Sequence, residues 1–252
     1  MESVAAGTAS AWCLRFRQQV AGRVRLVCFP HAGGGGAAYH PFSRLLPAGT
    51  EVVAIVPPGR EARMREAPLT SIVAMAEGAA AAIAALPPLP SFFFGHSMGA
   101  MLAFETARVL RRGGHPLPRR LFLSGRRAPG APPEGETPIS GLSADAFVAE
   151  MVRRYQGIPA AVLADRELLA LLLPIMQADI RAVESYRDTP QAPLPVPVTL
   201  MGGRDDPQCT DAAWAGWLPL IAGPVEALRF PGGHFYLAED RAPVMAALAA
   251  RL

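Results

Sequence analysis

Ser97 lies in Gly95-His96-Ser97-Met98-Gly99. A serine in Gly-x-Ser-x-Gly becomes a nucleophile when a base stands ready to take its proton. The base with the right place in the chain is His234, in Pro231-Gly232-Gly233-His234-Phe235. An imidazole titrates near neutrality, so it can accept the hydroxyl proton and return it to a leaving group. A carboxylate that fixes the imidazole tautomer completes the set. Gly202-Gly203-Arg204-Asp205-Asp206-Pro207 offers two, since Gly-x-x-Asp fits Asp205 and Asp206 alike. Asp206 is preferred because Asp-Pro after Gly-x-x is the commoner shape after such a strand. The chemistry of this set is acyl transfer through a covalent acyl-serine. The remaining histidines have other readings. His31 adjoins a glycine run and shapes it. His96 precedes the nucleophile, so its side chain points away from the site. His40 and His115 read as surface residues.

The flanking elements give these residues a common address. Phe92-Phe93-Phe94 is an apolar run too short for a helix and suited to a buried strand. After Gly99, the residues Met101, Leu102, Phe104, Ala107, Val109 and Leu110 recur at helical spacing. Strand, sharp turn with Ser97 at its tip, then helix is the nucleophile elbow of an α/β-hydrolase. The order Ser…Asp…His is that of the same fold, and each of the three follows a predicted strand. Residues 23–29 form another strand, running into Pro30-His31-Ala32-Gly33-Gly34-Gly35-Gly36. A dinucleotide loop needs an acidic residue near the end of the next strand, and 52–56 has none; a Gly-Lys-Ser/Thr is also missing. The run therefore reads as the loop that supplies one oxyanion donor, the Ala32 N–H, to pair with the N–H of Met98. Tyr39, Phe42, Leu45 and Leu46 make the helix after it.

The remaining pattern is an edge strand over 12–16, a strand over 52–56, a helix over 69–86 and a strand over 119–124. The pattern resumes at 196–201, counted as the seventh strand, and ends with a strand over 225–230 and a helix over 243–252. Alternating strands and helices imply a mostly parallel sheet covered on both faces, with the site at the C-terminal strand ends. Residues 129–190 interrupt the alternation. Predicted helices over 144–155, 161–178 and 180–186, with Pro174 kinking or breaking the second, read as a helical lid. Leu163, Leu168, Leu169, Leu171, Leu172, Leu173, Ile175 and Met176 are candidates to line an acyl tunnel or to serve as ordinary helix packing. The chain is thus one domain, with its core over 12–128 and 191–252 and its lid over 129–190.

The composition excludes several classes. With 252 residues, 51% hydrophobic and 18% charged, the chain is globular. All 24 basic residues are arginine, and a net charge of +3 is too small to argue for nucleic acid. Arg111-Arg112, Arg119-Arg120 and Arg126-Arg127 suggest a mildly basic face for an acidic partner. Cys13, Cys28 and Cys209 are scattered, with no disulfide framework and no metal spacing. Cys28 reads as a small core residue. Residues 1–11 read as a tail without a secretory pattern, and no stretch is long and apolar enough to span a membrane. The expectation is a cytoplasmic protein, acting as a monomer, with no cofactor and no metal.

Together, Cys28-Phe29-Pro30-His31-Ala32-Gly33-Gly34, Pro58-Gly59-Arg60, Gly95-His96-Ser97-Met98-Gly99-Ala100, Gly203-Arg204-Asp205-Asp206-Pro207 and Gly232-Gly233-His234-Phe235 resemble the type II thioesterases of polyketide and nonribosomal peptide pathways. The longer glycine run, Gly33 to Gly36, departs from the family, which usually places Ser or Ala there. The resemblance covers nearly the whole chain. It implies hydrolysis of acyl groups stalled on the phosphopantetheine arm of an acyl or peptidyl carrier protein. Ser97, Asp206 and His234 would carry the chemistry, with Met98 and Ala32 as oxyanion donors. A general carboxylesterase or lipase, an acyltransferase or cyclase using the same three residues, and a non-catalytic binding module are the rival readings.

Overall fold

Alternating apolar residues on the strands build two cores on one sheet. The computed structural model describes residues 11–16, 22–130, 136–155 and 157–252. Seven strands are described: β1 (Cys13–Arg15), β2 (Val24–Phe29), β3 (Thr50–Ile55), β4 (Ser91–His96), β5 (Leu121–Ser124), β6 (Val198–Gly203) and β7 (Val225–Phe230). Their order is β1-β3-β2-β4-β5-β6-β7, parallel throughout except for β1, which runs antiparallel to β3 at the edge. On β2 and β4, Val27, Phe29 and Phe93 face one side and Leu26, Cys28, Phe92 and Phe94 the other. The period of two sends successive side chains to opposite faces. Each buried Phe contributes about 1.5–3 kcal/mol relative to exposure.

The helices placed wholly among the described residues are α1 (Phe42–Leu45), α2 (Ile72–Ala84), α3 (Met98–Arg112), α4 (Ala144–Tyr155), α5 (Ala160–Ala164), α6 (Arg166–Ser185), α7 (Asp211–Ala215), α8 (Tyr236–Glu239) and α9 (Ala242–Ala249). α2 and α3 cover the Phe93 face, and α1 and α9 cover the Phe94 face. This is the α/β-hydrolase architecture expected, a mostly parallel sheet with helices on both faces. α4, α5 and α6 fall between β5 and β6. They share a smaller core of Ile139, Phe147, Met151, Ile158, Met176 and Ile180, packed against Ala32 of the loop after β2.

Several details differ from expectation. The strand near 196–201 is the sixth described, not the seventh, because β5 passes directly to β6 through the helical insertion. The segment after the glycine run is not one helix but a 3-10 turn, Gly36–Tyr39, followed by α1, with Pro41 between them. The insertion's helical boundary falls at Asp165, not near residue 179. Asp165 caps α6 by accepting the N–H groups of Glu167 and Leu168, and side-chain capping of this kind starts a helix. α6 then runs unbroken through Pro174. Its buried stripe of Ile175, Met176, Asp179 and Ile180 anchors the turn after the proline, so packing holds the helix where the lost hydrogen bond would break it. Residues 1–10 of the expected tail, and residues 131–135 of the loop expected over 128–138, lie outside the described residues. Among the described residues, no helix is long and apolar enough to cross a membrane.

Candidate active site

The turn between β4 and α3 holds Ser97 at φ 56° and ψ −118°. This is a sparsely populated conformation for a residue with a Cβ, and such strain costs about 1–3 kcal/mol. The surroundings enforce it. Ser97 N–H donates to the Ser124 carbonyl at the end of β5, 2.8 Å away. A Cβ on Gly95 would come within 1.9 Å of the Gly99 carbonyl, and one on Gly99 within 2.1 Å of the Phe29 carbonyl. Only glycine permits strand and helix to meet this closely.

His234 follows β7 and reaches Ser97 across the strand ends. Its Nε2 lies 3.0 Å from Ser97 Oγ, and its Nδ1 lies 2.8 Å from Asp206 Oδ2. Asp206 and His234 are both buried. The other Asp206 oxygen accepts the Gln208 N–H at 2.9 Å, and Oδ2 also receives the Cys209 thiol at 3.3 Å. Burial pulls the Asp206 carboxyl up, but the hydrogen bond and charge of His234, the Gln208 N–H and the Cys209 thiol outweigh it. The carboxyl titrates below its ordinary range. Asp205, the alternative acid, is exposed. The structure therefore brings together Ser97, His234 and Asp206, and leaves Asp205 outside.

Ala32 and Met98 line the same cavity as Ser97 and His234, a space of about 120 Å³. The backbone N–H of neither residue donates to another described residue. Gly34 N–H donates to the His31 carbonyl at 2.9 Å, and Gly33 has φ 73°, so residues 31–34 form a type II turn. His31 Nδ1 donates to the Ala32 carbonyl at 3.0 Å, consistent with a loop-shaping role. His96 is turned out of the cavity, and its ring packs against that of His234. It is buried with Nδ1 2.9 Å from Ser124 Oγ, which meets Tyr236 Oη at 2.7 Å, and its ring centroid is 5.0 Å from that of His234. Burial first, then the neighbouring His234 and His31, hold His96 well below the usual histidine range. His40 and His115 are exposed and Cys28 is buried, as expected.

The leucine-rich face does not line the cavity. Leu163, Leu168 and Leu171 are exposed, while Leu169, Leu172 and Leu173 pack within the lid's own core. Met151, Tyr155, Ile180 and Val183 face the cavity instead. The basic face is likewise divided. Arg111-Arg112 close α3, and Arg119-Arg120 precede β5, where Arg119 N–H bonds to the first residue of β4. Both pairs lie at the end of the sheet opposite Ser97. Arg126 and Arg127, after β5, line the cavity together with Arg154 and Arg187 from the lid. Residue type alone does not reveal this split, because it depends on which end of a parallel strand each pair occupies. Among the described residues, no group of three His, Cys, Asp or Glu is placed to hold a metal.

A strand-end serine on a strained turn, backed by a buried histidine–aspartate pair, defines a hydrolase-type site on an α/β-hydrolase fold. The chain belongs to the thioesterase domain family, whose model matches residues 24–251. It is 40% identical over 232 residues to a probable cadicidin biosynthesis thioesterase of Streptomyces griseus, which covers 92% of this chain; the chain spans 63% of that protein's length. It is 36% identical to the gramicidin S biosynthesis protein GrsT of Aneurinibacillus migulanus, over 91% of this chain and 89% of that one. Among solved structures it is similar to BorB, the type II thioesterase of the borrelidin cluster. There the TM-score is 0.85, with 35% identity over 95% of this chain and 97% of that one.

Proposed function

We propose that this protein is a type II thioesterase that hydrolyses acyl groups from the phosphopantetheine arm of an acyl or peptidyl carrier protein, serving a polyketide or nonribosomal peptide synthase. The observation that carries the reading is the hydrogen-bond chain Ser97 Oγ–His234 Nε2–Asp206 in a chain of the thioesterase family.

In this reading His234 Nε2 takes the Ser97 proton as Oγ attacks the thioester carbonyl. The new C–O bond pushes the carbonyl electrons onto oxygen, and the Met98 and Ala32 N–H groups stabilise that oxyanion, each by about 3 kcal/mol. Collapse expels the arm's thiolate, which takes the proton from His234. Water then gives its proton to His234 as it attacks the acyl-serine, and a second collapse releases the free acid and restores Ser97. Asp206 holds the tautomer that keeps Nε2 unprotonated and stabilises the imidazolium. Every acid, base and oxyanion donor in this scheme belongs to the chain, so the reading invokes no cofactor.

The test compares hydrolysis of one short acyl group on a holo carrier protein, on a small thiol and as a p-nitrophenyl ester, with Ser97→Ala as control. The expected result is a much higher kcat/KM on the carrier and no turnover by the variant. Arg127→Glu should raise KM for the acidic carrier only, and Arg119→Glu, at the far end of the sheet, should change neither substrate. Preference for the free ester would move the function to a small-molecule esterase.

A further inference from the structure

The loop that carries Ala32 is tied to the lid by a buried carboxylate 146 residues further along the chain. Asp179 sits on α6 and is fully buried. Its Oδ2 accepts the Gly33 N–H at 2.8 Å. Arg60, from the loop after β3, donates to Asp179 Oδ1 at 2.8 Å and Oδ2 at 3.1 Å, and to the Gly34 carbonyl at 3.0 Å. One turn earlier on α6, Met176 lies directly over Gly33, where a Cβ would stand 2.5 Å from Met176 Cγ.

These contacts converge on one peptide unit. The bond between Ala32 and Gly33 is the central peptide of the type II turn, and its orientation distinguishes type II from type I. Its carbonyl is held by His31 Nδ1 and its N–H by Asp179. Two residues on from Ala32, the Gly34 carbonyl is held by Arg60. An ion pair serving stability alone would need none of these loop contacts. Here the carboxylate and the guanidinium each spend a bond on the turn.

We propose that Asp179 is a positioning residue for the oxyanion loop: by fixing the Gly33 amide, with Arg60 as its counter-ion, it sets the Ala32 N–H where charge develops in the transition state. The inference rests on the hydrolytic reading above. It assigns the lid helix a part in catalysis besides covering the site. Because a misplacement of about 1 Å costs on the order of a hundredfold in rate, loss of the tether acts on kcat. It leaves ground-state binding, which uses the other cavity walls, nearly unchanged.

The experiment removes the tether without stranding a buried charge. Arg60→Met/Asp179→Leu replaces the ion pair by apolar groups, an exchange that buried pairs often tolerate. Its kcat on a short acyl thioester of a small thiol should fall about a hundredfold with KM within about threefold. The Ki of an alkyl boronic acid, whose adduct with Ser97 mimics the tetrahedral intermediate, should rise by the same factor. Arg60→Met/Asp179→Asn, which keeps an acceptor for Gly33 and leaves no buried cation unpaired, should recover kcat to within about tenfold of the parent. A folded double variant with kcat within about threefold of the parent, or a loss of kcat without a matching rise in Ki, overturns the proposal. Should the double variant not fold, amide exchange in the parent decides. The Gly33 amide should exchange far more slowly than that of Gly35, which donates to no described residue, and equal rates refute the tether. Ser97→Ala separates the two levels. Turnover retained by that variant removes the hydrolytic reading itself, whereas an inactive Ser97→Ala beside unaffected Asp179 variants removes only this inference.

Discussion

Asp206→Asn should inactivate the enzyme through a proton on the wrong nitrogen. In the parent, Asp206 Oδ1 accepts the Gln208 N–H at 2.9 Å and Oδ2 faces His234 Nδ1 at 2.8 Å. An asparagine there has one oxygen and one NH2. The Gln208 N–H claims the oxygen, because two donors cannot face each other in a buried site. The NH2 then points at His234 Nδ1, which must become an acceptor. That moves the imidazole proton to Nε2, 3.0 Å from Ser97 Oγ, and the base is lost with the geometry intact. A wrong tautomer of this kind costs about 10⁴ in kcat, or about 5.4 kcal/mol at 1.36 kcal/mol per decade. Asp205 is exposed, and among the described residues only its backbone N–H is engaged, with the Gly232 carbonyl at 3.1 Å. Asp205→Asn should therefore stay within about twofold of the parent. The assay is kcat/KM on a short acyl thioester, read by trapping the released thiol, with both variants checked for native unfolding. An Asp206→Asn enzyme keeping more than a tenth of parental activity, or an Asp205→Asn enzyme that loses most of it, would refute the reasoning.

Backbone strain and two desolvated histidines, the buried His96 and the half-buried His31, give two further expectations. Ser97→Gly should be more thermostable than Ser97→Ala, because glycine adopts φ 56° without the Cβ clash. After the entropy cost of glycine the net gain is about 1 kcal/mol, or about 2–4 °C in a chain of this size; calorimetry showing the alanine variant equal or higher contradicts the strain. The second expectation concerns acid. Burial holds His96 and His31 below the ordinary histidine value, so below about pH 6.5 the unfolded chain takes up protons that the folded chain refuses. Stability is therefore full above that pH and falls as the pH drops, by up to about 1.4 kcal/mol per pH unit for each such histidine. Urea unfolding at pH 7.5, 6.5 and 5.5 should show this slope, and His96→Gln should flatten it by about one histidine's share. Identical slopes in parent and variant would rule out His96 as a source.

Local chemistry made much of this molecule legible in the sequence. The run Phe92–Phe94 is too short for a helix and suits a buried strand, and Gly95 and Gly99 flanking Ser97 mark the close crossing of strand and helix. The placement of Ser97, Asp206 and His234 after three strands brought them to one edge of the sheet, since parallel strands end together. What escaped were effects with no local signal. Pro174 reads as a breaker, yet tertiary burial of Ile175, Met176 and Ile180 carries the helix past it. The leucines of α6 fit a tunnel wall and ordinary helix packing alike in the sequence, because a helix of 20 residues has several faces, and the cavity meets a different one. The tie between Asp179 and Gly33 joins residues that share no motif and meet only because α6 folds back over the loop after β2.

The arrangement around His234 gives a second, neighbouring histidine a role under the proposed mechanism. The rings of His96 and His234 have centroids 5.0 Å apart. Two positive charges at that distance repel by about 3 kcal/mol at an effective dielectric of about 20. A protonated His96 would oppose the imidazolium on which the proposed proton transfer depends. Burial prevents this by keeping His96 neutral, while its Nδ1 is anchored through Ser124 to Tyr236. Asp206, held ionised despite its own burial, lies on the opposite nitrogen. His234 is thus flanked by a neutral aromatic support and a fixed negative charge. The charge that develops on it during proton transfer meets attraction from Asp206 without a competing cation from His96.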